Sequence, residues 1–220
     1  MDLEHTIRTT ASVREFSSSP PPENLIYQAL ELARFAPSGG NRQGWRVIVI
    51  RDAGTRRQLA TTYLEVWDRY VEKWYAGDLT ARRQRMLNKA NQFAASISEI
   101  PVHLAVWVDM RTLEITDADL DRPSVVGGGS IFPFVQNFTL ACRSLGLGTR
   151  VTTLLSSREA DLRRLLAVPE FYALAAVILV GEPLRQITKL SRQPVEEFAT
   201  LDSYEGPPLS LASDPAPTDR

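Results

Sequence analysis

The chain has 220 residues, 44% of them apolar, enough for one compact domain with a buried core. Its 25 basic and 26 acidic side chains leave a formal net charge of −1. So balanced a chain has no global field to hold nucleic acid or an anionic membrane, which makes both poor candidates as partners.

Asp2 can cap a short helix ending near Thr10. Ser12 to Pro22 is a loop rich in Ser and Pro. Leu25, Ile26, Ala29, Leu30 and Ala33 then recur at helical spacing, so Pro22 to Ala36 reads as an amphipathic helix, stopped by Pro37-Ser38-Gly39-Gly40. Trp45 to Ile50 is β-branched and reads as a strand. Thr55 to about Asn91 is helical, broken near Gly77-Asp78, and carries Trp67, Tyr70, Trp74 and Tyr75. Val102 to Asp109 is apolar throughout and reads as a strand buried on both faces. Residues 111–127 read as loop. Ile131 to Leu145 reads as a helix apolar nearly all round, so it must be central or at a subunit interface. Gly146 and Gly148 end it. Arg150 to Leu155 reads as a short strand, and Ser156 and Glu159 have capping-box spacing at the head of a helix through Leu166. Ala173 to Val180 is the last buried strand. The class is α/β or α+β in one domain, without internal repeats. The proline-rich tail from Gly206 to Arg220 is expected to be disordered or a surface arm.

The lone cysteine, Cys142, cannot close an intrachain disulfide, which fits a reducing compartment. Set among Phe138, Leu140, Ala141 and Leu145, it reads as a core thiol. Met1 to Arg14 is charged and lacks the apolar run of a secretory leader, and no segment is apolar for long enough to span a bilayer. A cytoplasmic location is the default. Arg82, Arg83 and Arg85 read as a solvated helix face.

Neither histidine, His5 nor His103, has a partner at metal-ligand spacing, so no metal site is expected. No nucleophile elbow, P-loop or dinucleotide fingerprint appears. Gly127-Gly128-Gly129 precedes a helix and could hold an anion through backbone N–H groups, or could simply be a flexible entry. The distinctive segment is Ala36-Pro37-Ser38-Gly39-Gly40-Asn41-Arg42-Gln43-Gly44-Trp45-Arg46. Its small residues would let a flat ligand approach the backbone, and Asn41 offers a donor and an acceptor to a heterocycle edge. On physics alone a tight turn explains it better.

The segment resembles the P-S-x-x-N-x-Q-P-W motif of the nitroreductase-like flavoproteins. Ser12-Val13-Arg14-Glu15-Phe16 resembles that family's R-R-S-V-R-x-F. Ser130 to Asn137, with Ala141 and Leu145-Gly146-Leu147-Gly148-Thr149, resembles its central helix and the following strand. Ser191-Arg192-Gln193-Pro194-Val195-Glu196-Glu197 resembles its C-terminal signature. The matches keep the family's order from about residue 6 to 204, and residues 60–127 carry none.

The resemblance implies an α+β sandwich, a mixed central sheet flanked by helices, over residues 1–205, assembled as a homodimer with FMN in the interface. Ser12 and Arg14 would hold the phosphate, with Arg192 closing on it. Pro37, Ser38, Gly39 and Asn41 would line the isoalloxazine ring from the other subunit, and Thr152 and Thr153 would place backbone near flavin N5. Thr10 stands where the family has an arginine, Gly44 where it has proline, and Leu190 where some members have a basic residue. The missing arginine removes a charge-assisted phosphate bond, worth roughly 1.5–3 kcal/mol. The reading is an NADH- or NADPH-dependent flavin oxidoreductase passing electrons to a small, flat acceptor by a ping-pong mechanism. No side chain is catalytic in its own right, because the flavin carries the chemistry. The alternatives are a flavin carrier, or a relative performing flavin breakdown or reductive dehalogenation. Trp67, Tyr70 and Trp74 fall on one helical face, as core or as a lid from which Trp74 or Tyr75 stacks on the acceptor.

Overall fold

The computed structural model describes residues 2–77 and 79–210. The chain divides into one compact unit ending at residue 188 and a second beginning at 189.

In the first unit, α1 (Leu3–Thr9) is capped by Asp2, whose carboxylate accepts the His5 N–H at 2.7 Å. α2 spans Glu23–Ala33, with Pro22 outside the first turn, and β1 spans Trp45–Ile50. α3 (Ala53–Trp74) is capped by Asp52, and α4 (Ala81–Ser96) by Thr80. β2 (Val102–Asp109) is buried at every position, as its unbroken apolar run implied. α5 (Ile131–Ser144) follows, then β3 (Gly148–Thr152), α6 (Glu159–Leu165) and β4 (Tyr172–Gly181).

The strands form one antiparallel sheet in the order β1-β2-β4-β3. Among the described residues, parallel pairing is confined to an isolated bridge from Ser12 to Thr149. Side chains alternate across β2: Leu104 and Val106 enter a core with α2 and α5, while Ala105 and Trp107 enter a core with α3, α4 and α6. The fold is therefore α+β, a sheet between two helical layers. No helix among the described residues is long and apolar enough to cross a membrane.

Two local expectations need correcting. β3 begins at Gly148 and ends at Thr152, not at 150 and 155, because Gly148 to Thr152 pair with β4 and Leu154–Arg158 turn into 3-10 helix. The Ser156–Glu159 capping box does not form. Ser156 Oγ donates to Leu174 O at 2.9 Å, and the Glu159 carboxylate takes the Leu174 N–H at 2.6 Å. Tertiary contacts to β4 won both side chains from the local motif.

In the second unit Val195–Glu197 form a 3-10 turn, and Leu209 N–H donates to Ala199 O at 2.8 Å. The first residues of the proline-rich tail thus fold back, with Thr200 bridging Pro208. The rest of the tail, from 211, lies outside the described residues.

Candidate functional site

The segment after α2 is a rigid, strained turn. Gly40, Asn41 and Gln43 all have φ between 50° and 57°. A left-handed backbone is uncommon for a residue with a side chain, and such strain tends to persist where surrounding bonds over-determine it. Here Ser38 Oγ accepts the Gln43 N–H at 3.1 Å, Gln43 Nε2 donates to Asn41 Oδ1 at 3.2 Å, and Arg42 Nη1 donates to Thr112 O at 3.2 Å. Ser130, at the head of α5, accepts the Gly39 N–H at 3.2 Å and ties the turn to the central helix. Pro37, Gly39 and Asn41 remain exposed. Gly44 is forced by packing: a Cβ there would lie 2.0 Å from Thr112 Oγ1, so proline or alanine does not fit beside this threonine.

Ser12 and Arg14 lie along the outer edge of the sheet, where the Val13 N–H donates to Thr149 O at 2.9 Å. Thr10 closes α1, and its hydroxyl donates to Thr6 O at 2.7 Å. Arg14 is exposed. Arg192 belongs to the second unit, where its Nη1 donates to Ser191 O at 2.7 Å.

Thr152 ends β3, and Thr153 opens the 3-10 turn that follows. Thr153 lines an open groove of about 470 Å³ with Val66, Tyr70, Lys73 and Trp74. Beyond the Tyr70–Trp74 ridge is a second cavity of about 450 Å³, bounded by Tyr75, Arg82, Arg83 and Met86. The aromatic stripe of α3 is graded. Trp67 is 8% exposed and its indole N–H donates to Asn91 Oδ1 at 2.8 Å. Tyr70 stacks on Trp67 with centroids 5.7 Å apart, and Trp74 is 64% exposed. Tyr75 is half-buried against the α3-side core.

Other candidates have structural roles. His103 is fully buried, and Nε2 meets Ile97 O at 2.9 Å. Burial lowers its pKa to about 4, which keeps it neutral. Burial pushes the Cys142 thiol up, so it is not a thiolate. The Gly127 and Gly129 N–H groups are spent on Ser124 Oγ and Val126 O, which weakens the anion cradle read there. Two features were missed in the sequence. Arg82 and Arg83, read as a solvated face, bound the aromatic cavity, and Arg150 on β3 is a partly buried guanidinium.

Residues 7–182 match the nitroreductase family. The chain belongs to that family. It is 28% identical over 205 residues to 5,6-dimethylbenzimidazole synthase of Rhodospirillum rubrum, covering 90% of this chain and 87% of that one. To NADH dehydrogenase of Thermus thermophilus it is 23% identical over 222 residues, with 89% and 94% covered. In three dimensions it matches an oxidized iodotyrosine deiodinase bound to FMN and 3-iodo-L-tyrosine, with a TM-score of 0.67, 22% identity and 88% and 96% of the chains covered. In this member of the family glycine stands at the motif's proline position, where Thr112 leaves no room for a Cβ.

Proposed function

We propose that the chain is half of a homodimeric FMN oxidoreductase that takes hydride from NADH or NADPH and reduces a small, flat, electron-poor acceptor, nitroaromatic or quinone-like. The observation that carries this reading is the strained turn. With the backbone N–H groups of Gly39, Asn41 and Gln43 already hydrogen-bonded, the left-handed backbone at Asn41 and Gln43 holds the exposed side-chain amide of Asn41 beside small residues, where a flat heterocycle can reach it. FMN, when bound, would supply the hydride chemistry at N5. The protein's part is to line the ring with Pro37, Ser38, Gly39 and Asn41, to approach N5 with the backbone of Thr152 and Thr153, and to hold the phosphate with Ser12 and Arg14. The nicotinamide gives up one hydride; the acceptor gains two electrons and two protons, one of the protons from solvent.

Dimerisation is supported by apolar side chains that the single chain leaves exposed on the α5 side: Leu3 and Ile7 of α1, Tyr27 and Leu32 of α2, and Phe132 of α5. The acceptor class is supported by the cavity of Tyr70, Trp74 and Tyr75, whose rings can stack on a flat molecule, with Arg82 and Arg83 to meet a nitro or carboxylate group. Relatives named as a synthase and a deiodinase favour, as a second reading, flavin fragmentation or dehalogenation at the same site. The purified protein should be a yellow dimer whose colour bleaches under NADH or NADPH without oxygen and returns on adding a nitroaromatic. A colourless monomer that FMN cannot reconstitute defeats the proposal. Product analysis separates the second reading from the first.

A further inference from the structure

Arg150 is a charge that the sheet itself does not need. It pairs across to Leu179 of β4, a residue of the α3-side core, so its side chain and that of Thr152 point to that side. The guanidinium carbon sits 3.9 Å from the centroid of the Phe93 ring. Beside it is the hydroxyl of Tyr63, a residue only 1% exposed. Nη1 is buried and meets no acceptor among the described residues. A partly buried cation with one nitrogen shut off from water and no carboxylate beside it among the described residues is costly, and structures rarely keep one without a use.

The fold also brings a second guanidinium to the same place. The N-terminal segment lies against β3 because Gly148 has no Cβ; one would lie 2.8 Å from the Val13 side chain. Farther along this segment, Phe16 packs on the α3-side core, and Arg14 precedes it by two residues. Burial lowers the Arg150 pKa and the Arg14 charge adds to that, opposed by Tyr63. Two neighbouring guanidiniums without a carboxylate partner repel each other, and an anion bound between them turns both repulsion and desolvation into charge-assisted hydrogen bonds.

We propose that Arg14 and Arg150 form one anion-binding pair, completed by the negative charge of the bound flavin. This rests on the FMN reading above, and it makes Arg150 the replacement for the cation missing at Thr10. The charge is carried either by the phosphate or by the reduced ring, and the experiment separates the two. Wild type, Arg150→Gln, Arg150→Lys and Arg14→Ala are titrated with FMN and with riboflavin, with melting temperature and the midpoint potential of the bound flavin measured alongside. Arg150→Gln should weaken FMN by roughly 10- to 100-fold, the range for hydrogen bonds to charged groups. Loss for FMN with riboflavin unchanged places the phosphate between the arginines. A lower potential, with oxidised FMN and riboflavin bound as before or weakened equally, places the reduced ring there. Should the Gln variant not fold, Arg150→Lys keeps the charge without the planar fork and should show the same loss in weaker form. Unchanged affinities and potential, whatever the melting temperature does, overturn the pair. If the wild type takes up no flavin at all, the functional reading has failed, and inorganic phosphate then tests the pair alone. Phosphate should raise the wild-type melting temperature above that in chloride of equal ionic strength but leave that of Arg14→Ala unmoved; no rise in the wild type refutes the pair.

Discussion

On the α5 side of the sheet the core cluster is apolar, and the charge buried beside it is partnered: Arg143 Nε donates to Thr9 Oγ1 at 3.0 Å. Val102, Leu104 and Val106 of β2 meet Phe134 and Phe138 of α5 and the alanines of α2. On the α3 side the same strand contributes His103 and Trp107, while the helices add Tyr63, Trp67 and Arg56. Among the described residues, the buried polar side-chain atoms without partners, Arg56 Nε, His103 Nδ1, Trp107 Nε1, Arg150 Nη1 and Arg163 Nε, all belong to residues of the α3 side. The α5 side also leaves Leu3, Ile7, Tyr27 and Leu32 exposed on α1 and α2. The contrast separates two tasks. The exposed apolar side chains of the α5 side suit the dimer proposed above, while the α3 side keeps unpartnered polar groups inside at a cost in stability.

The contrast is sharpest within α3, between two tryptophans on one helical face. Trp67→Ala removes a ring that is 8% exposed and leaves Asn91 Oδ1 without its donor. It should cost about 3–5 kcal/mol in denaturant unfolding, the range for a large buried aromatic. Trp74→Ala, at 64% exposure, should leave stability unchanged and raise the acceptor KM. Equal losses of stability in the two variants would mean that the whole stripe is core, and the lid reading of Trp74 would go.

Much of this layout was legible from pattern alone. β1, β2 and the start of α5 fall where periodicity and β-branching place them, because each is a strongly apolar stretch in the sequence. β3 was harder. Gly148 reads as a helix stop, and only pairing with β4 shows that it already belongs to a strand. Ser156 and Glu159 had the right spacing for a cap, but β4 offered them better partners. The turn at Ser38 to Gly44 announced itself by composition, whereas its strain did not. Arg150 could not be singled out from the sequence, since its meaning depends on Tyr63, Phe93 and Arg14, which are distant in the chain.

His103 tests whether the polar α3 side limits stability in acid. Burial holds its pKa near 4, against about 6.5 when unfolded. The unfolded chain therefore binds the proton first, so the contribution is complete above pH 6.5 and is lost as pH falls from 6.5 to 4. A difference of this size corresponds to roughly 3 kcal/mol. His103→Gln can still donate to Ile97 O but does not titrate. Relative to wild type, its unfolding free energy should fall less between pH 7 and 4.5. Parallel curves would show that the imidazole does not control acid sensitivity.

The smallest effect is expected outside both cores, in the loop that leads to the site. Asp117 is buried and organises this loop. Its carboxylate accepts Ser124 Oγ at 2.6 Å, the Val125 N–H at 3.0 Å and Arg122 Nη1 at 2.7 Å. These bonds, Ser124 foremost, hold its pKa down to about 2. A lowered carboxylate pKa stabilises the fold above the ordinary value of 3.8, and the contribution is lost as pH falls through about 2. Downstream, Ser130 accepts the Gly39 N–H, so order in the loop reaches the strained turn. Asp117→Asn keeps the shape but cannot accept all three bonds equally well, because one carboxylate oxygen becomes an NH₂ donor. Hydrogen exchange should quicken at Val125 and, more weakly, at Gly39, while the melting temperature stays near that of wild type. The same residues should loosen in the wild type as the pH approaches 2. Faster exchange throughout β2 or β4 would show that Asp117 supports the whole sheet, and the loop would lose its separate standing.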